Sequence, residues 1–158
     1  MKLVSAGNDQ FVFDLDKREK QLLLIVLGSY PLVPAAHHKL SRFPVSGRAE
    51  ADQRLLEEAL ADQRRENKNQ LNRLLSDPQR LRDTPTGGRL TLTQSEIEWF
   101  LQVLNDVRVG SWILLGSPEK SLRNLELNKT AAAHAWRMEV AGFFQAGLLA
   151  LLPRGDGG

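Results

Sequence analysis

The chain has 158 residues, a length that suits one domain able to bury its own core. It has no cysteine, which excludes disulfides, thiolate metal sites and cysteine nucleophiles. Its net charge of +2 gives no global field that would draw it to nucleic acid or to a membrane surface.

The chain opens as a β-hairpin. Lys2–Ala6 and Gln10–Asp14 flank Gly7-Asn8-Asp9, residues that tolerate the positive φ of a tight turn. Phe11, Phe13 and Leu15 alternate with polar or smaller residues, the period-two pattern of a half-buried strand. Two strands alone are marginal in water, so the hairpin must pack on helices. Asp16-Lys17-Arg18-Glu19 reads as a capping box opening helix one, and Leu22, Leu23, Ile25, Val26 and Leu27 leave little of that helix to face water beyond its first turn. Gly28 and Pro31 stop it. Residues 30–48 read as an irregular connector broken by Pro31, Pro34 and Pro44.

Helix two is predicted from Ala49 to Leu75. Leu55, Leu56, Leu60, Leu71, Leu74 and Leu75 mark its apolar side, but Ala61–Gln70 has almost no apolar anchor. A helix that is polar all round projects into solvent or relies on side-chain pairs. Pro78 follows, and Thr84-Pro85-Thr86-Gly87-Gly88 reads as a mobile loop. Thr93-Gln94-Ser95-Glu96 is a second capping box. Helix three follows it, with Ile97, Phe100, Leu101, Leu104, Val107, Ser111 and Leu115 at helical spacing as far as Gly116. A polar linker leads to Asn128 as N-cap of a last helix that runs to about Leu152, and residues 153–158 form a disordered tail. The expected fold class is therefore mainly α: a single domain over residues 1–152, built as a bundle of about four main helices with a short N-terminal β-hairpin.

Two groups of residues are candidates for function. Asn105, Asp106 and Arg108 cluster on helix three. Arg108 sits on or beside the core-facing stripe, so its guanidinium must reach water or a partner on another element, with Gln145 of the last helix as one candidate. This polar cluster would either fix the helix register or contact a partner. The stretch Gln63–Arg89 carries seven basic residues against three acidic ones. Arg64, Arg65, Lys68, Arg73, Arg80 and Arg82 are its candidate phosphate contacts, although no aromatic side chain lies between Arg54 and Arg89 to stack a base. No catalytic residues stand out, because Walker, dinucleotide-binding, nucleophile-elbow and zinc-protease motifs are all missing from the sequence. No metal site or cofactor is expected. His37-His38 reads as a pair of solvated loop residues and His134 as a histidine at the core edge. Trp99, Trp112 and Trp136 read as core or interface anchors, and Trp99, Val103 and Val109 flank the main stripe of helix three as a possible second apolar face. Glu96 has a structural task at its helix start. The apolar runs are too short to span a membrane and the first residues do not resemble a secretion signal, so a cytoplasmic protein is expected.

The segment Glu96–Gly116, EIEWFLQVLNDVRVGSWILLG, resembles the central signature of a mostly actinobacterial, all-helical family of unknown function. In that family an acidic helix start leads to an aromatic-Leu pair and then to Leu-Asn-Asp-Leu-Arg. Trp99-Phe100-Leu101 and Leu104-Asn105-Asp106-Val107-Arg108 stand in those places here, while Val107, Val109 and Trp112 depart from the leucine-rich usual. The opening from Phe13 through Glu19, and Phe144-Gln145, are also similar. The resemblance implies no catalytic residues. Family members are often encoded beside the adaptor of the Clp protease, which implies a role near proteolysis. The function expected is a non-enzymatic protein-interaction or regulatory domain whose partner is another protein or a second copy in a homodimer. The alternative is a nucleic-acid-associated regulator using residues 64–89, with an enzyme the least favoured reading.

Overall fold

The computed structural model describes residues 1–32, 48–116 and 129–154. The expectations for His37, His38, Asn128 and the end of the tail lie outside them. In chain order the elements are β1 (Lys2–Gly7), β2 (Gln10–Asp16), α1 (Lys17–Gly28), α2 (Arg48–Ser76), β3 (Leu81–Thr84), β4 (Gly87–Thr93), α3 (Gln94–Leu114) and α4 (Lys129–Leu151). The four strands form one antiparallel sheet in the order β1-β2-β4-β3.

This is an α+β fold and corrects the mainly α, all-helical expectation. The four helices and the N-terminal hairpin are present, but the segment read as a mobile loop at 84–88 is the turn and strand start of a second hairpin. Its strand β4 lies at the centre of the sheet, paired with β2 on one side and β3 on the other. The register sets Phe13 opposite Leu90 and Phe11 opposite Leu92. Phe13, Leu15, Leu90 and Leu92 are all buried on the face turned to the helices. The alternating residues Asp14 and Arg89 pair on the other face, where Arg89 donates from Nε to Asp14 Oδ1 at 2.6 Å and from Nη2 to Oδ2 at 3.1 Å. That forked geometry holds the Asp14 carboxyl below the usual carboxylate range and raises the guanidinium's pKa.

Both predicted capping boxes form. At α1, Glu19 N–H donates to Asp16 Oδ1 at 2.8 Å and Asp16 N–H donates to Glu19 Oε2 at 2.9 Å. At α3, Glu96 N–H donates to Thr93 Oγ1 and Thr93 N–H donates to Glu96 Oε2. Glu96 also pairs with Arg80 of the turn before β3. The first hairpin turns on Asn8 and Asp9, both at positive φ.

The core joins the inner face of the sheet to α1, the last turns of α2, α3 and α4. Leu23, Val26 and Leu27 come from α1, Leu71 and Leu74 from α2, Phe100, Val103, Leu104 and Val107 from α3, and Ala141, Phe144 and Leu148 from α4. Helix α1 is wetter than expected, since Leu24 and Ile25 are exposed. Helix α2 buries only Asn67, Leu71 and Leu74 among its 29 residues, so its first half projects, with Leu55 and Leu56 in solvent. No described helix is long and apolar enough to cross a membrane.

Candidate functional site

Helix α3 holds most of the candidate polar residues, and its geometry separates them. At about 100° per residue, Asp106 and Arg108 stand roughly 200° apart around the helix. Arg108 faces α4, while Asp106 faces Tyr30 and Arg64 on the other flank. Arg108 is exposed and finds its partner on its own helix, donating from Nη2 to Asn105 Oδ1 at 3.1 Å. Of the two routes expected for it, water or a partner on another element, it takes water, and its bond stays on its own helix because one turn already brings an acceptor alongside.

Asn105, Asp106 and Gln145 do converge. With Gln63, Asn67 and Gln102 they line a trough of about 640 Å³ whose floor is α3 and whose walls are α2 and α4, with Leu101 and Leu149 as its apolar members. The lining holds five carboxamides and one carboxyl. Asp106 is exposed on one side, and on the other it lines a small adjoining cavity with Tyr30, Arg64 and Gly110. Loss of hydration there raises its pKa, and the nearby Arg64 guanidinium opposes the shift without cancelling it. Arg64 Nη1 is buried with no hydrogen-bond partner among the described residues.

Beneath the trough lies a network that the sequence reading missed. Asn67 is only 8% exposed. Its Oδ1 accepts from Gln63 Nε2 at 3.0 Å and from Trp99 Nε1 at 3.1 Å, and its Nδ2 donates to the Tyr30 hydroxyl at 3.2 Å. One amide thus ties α2 to α3 and to the residues following α1. Burial pushes the Tyr30 hydroxyl pKa up, and the bond from Asn67 partly offsets this. The segment 61–70, which lacks an apolar anchor, has this polar one. The signal was available, since Asn67, Leu71 and Leu74 fall at i, i+4 and i+7 on one stripe.

A second, apolar groove lies further along α3 and α4. Helices α3 and α4 lie antiparallel, so that Leu101 is near Leu149 at one end and Trp112 is near Met138 at the other. Val109, Trp112, Met138 and Gly142 line this furrow of about 550 Å³, with Arg108 and Glu139 also in its lining. Of the three residues proposed as a second apolar face, only Val109 serves. Val103 is fully buried in the core and Trp99 is half-buried on Asn67, whereas Trp112 and Trp136 are about two-fifths exposed. His134 is half-buried at the helix edge with its Nδ1 2.8 Å from Arg137 Nη1, and desolvation together with that cation lowers its pKa.

The basic residues of 64–89 do not form one free stripe. Arg65 pairs with Asp62, Arg73 with Glu66 and Arg80 with Glu96. Lys68 donates to the Gly28 carbonyl at 3.4 Å, and Arg64 lies against Asp106. Arg82 stands opposite Arg89 in the sheet, near Asp14. Among the described residues no three His, Asp or Glu side chains gather as a metal site would require.

Fold and site together define an α+β domain that carries a carboxamide-rich trough and, further along α3 and α4, an apolar groove flanked by Arg108 and Glu139. No family model, curated protein or solved structure matches the chain.

Proposed function

We propose that this protein is a non-enzymatic interaction domain that docks another polypeptide along the face formed by α3 and α4. The observation that carries this reading is that two grooves are lined by the same pair of helices, one polar around Gln102, Asn105 and Gln145 and one apolar around Val109, Trp112 and Met138. A carboxamide presents a donor and an acceptor on one planar group and so matches the main-chain amide of a bound peptide. Tryptophan and methionine are the residues that interface cores favour. The trough contains a single ionisable group, Asp106, with no nucleophile beside it, so the reading calls on binding and not on bond-making. The nucleic-acid alternative has less behind it, because most of the cations it needs already face acidic or carbonyl partners and have few counterions to release. A cytoplasmic setting and kinship with the family that the Glu96–Gly116 signature resembles belong to the same proposal.

A photo-crosslinking amino acid placed at Trp112 or Gln102 tests the reading. Both positions should capture a polypeptide, whereas Gln79, exposed in the turn before β3, should not. Equal labelling from all three positions would overturn it.

A further inference from the structure

We infer that the apolar furrow between α3 and α4 is the interface of a symmetric dimer, so that its occupant is a second copy of this chain. The inference rests on the α3–α4 face being a docking surface and adds what docks there. At Gly142 the two helices come close, and an added Cβ would make ordinary van der Waals contact with Arg108 Cδ at 3.7 Å. Val109 and Trp112 of α3 and Met138 of α4 supply its apolar lining. Its two helices bring opposite charges, Arg108 from α3 and Glu139 from α4. Neither is neutralised among the described residues, since Arg108 bonds the uncharged Asn105 and no ion pair involves Glu139.

A two-fold interface must be complementary to itself, so that whatever residue i meets on residue j, residue j meets on residue i. This face satisfies that condition. With a two-fold axis along the furrow, Arg108 of each copy stands opposite Glu139 of the other. The same operation sets Trp112 of each copy against Met138 of the other. An unrelated partner would have to present an anion, a cation and an apolar knob in matching order, whereas a second copy presents all three by symmetry. Trp136 and Phe143 lie beside Glu139 on the outer side of α4, 38% and 57% exposed, and extend the apolar area that the contact would cover.

Sedimentation velocity on the full chain across a wide concentration range is the test. The expected result is a species of twice the 17.7 kDa chain mass. Arg108→Glu and Glu139→Arg should each weaken the dimer by about tenfold or more, because each sets like charges together twice, and the double reversal should restore it. Trp112→Glu should yield a monomer. Should that variant lose its fold by circular dichroism, the two reversals, at solvent-facing positions, still decide the matter. A wild-type monomer at the highest concentration, or a dimer indifferent to both reversals, overturns the inference. A monomer that still crosslinks a different protein through residue 112 ends the dimer but leaves the docking face standing. A dimer formed without any crosslink at residue 112 ends both.

Discussion

Asn67 carries more of the architecture than its polarity suggests. Three hydrogen bonds converge on it from α2, α3 and the residues after α1, at a position that apolar periodicity alone would assign to leucine. Asn67→Ala leaves the Trp99 indole N–H and the Tyr30 hydroxyl without this partner. It should cost about 2–3 kcal/mol in urea denaturation, the penalty expected when buried polar groups lose their mates. The spacing of Asn67 to Leu71 and Leu74 marks the position as inward-facing, but apolar character, the usual sign of an anchor, is missing from an amide. Asp106 makes a second residue-scale prediction. Its pKa is raised in the folded protein, so the folded state holds the proton more tightly than the unfolded chain does. Below the ordinary carboxylate pKa of about 3.9 both states are protonated and the group has no effect, while above its raised folded pKa the desolvated anion destabilises the fold. Asp106→Asn should therefore stabilise the protein at pH 7 and lose that advantage as the pH falls below about 4. Unfolding curves at the two pH values check it, and an equal gain at both would show that charge is not the cause.

At the scale of elements, the helices were the most legible part of the chain. Asp16 with Glu19 and Thr93 with Glu96 announce two helix starts through side-chain chemistry that operates locally, and both starts form as read. The second hairpin was not legible in the same way. Leu90 and Leu92 alternate with Arg89, Thr91 and Thr93 as a strand should, yet Gly87-Gly88 just before them reads as a loop. Gly87 is there because two backbones approach closely. A Cβ at Gly87, whose φ is +155°, would lie 2.2 Å from the Leu15 carbonyl oxygen and 2.4 Å from the Asp16 carbonyl carbon. Such proximity depends on a strand more than 70 residues away in the chain and leaves no local trace. Gly87→Ala should cost about 3 kcal/mol by thermal or urea unfolding. Gly116→Ala, also at positive φ but with nothing within 4 Å, should cost only about 1 kcal/mol. The candidate polar cluster was half legible in the same sense. Asn105, Asp106 and Gln145 do meet, but the helical turn that joins Arg108 to Asn105 also points it away from Asp106.

For the molecule as a whole, stability is unevenly placed. Helix α2 runs about 43 Å at 1.5 Å per residue, and only its last third is buried. Backbone amides of residues 50–62 should exchange with deuterium orders of magnitude faster than those of 67–76, and Leu55→Asp should shift global stability by less than about 0.5 kcal/mol. Slow exchange in the first half of α2 would show that its exposed leucines are covered in solution. The sheet, by contrast, has one decisive seam. Each outer strand zips to its inner neighbour through a short local turn, but β2 and β4 meet across a sequence separation of 75 residues at the Asp14–Arg89 pair. The entropy of closing so long a stretch must be met before any bond across the seam is gained. Each hairpin alone is a two-stranded ribbon, which water dissolves. Neither half of the sheet can thus outlive the other, and the order of assembly follows: a nascent chain can hold helix α1 and its preceding ribbon only loosely until the ribosome has delivered Thr93.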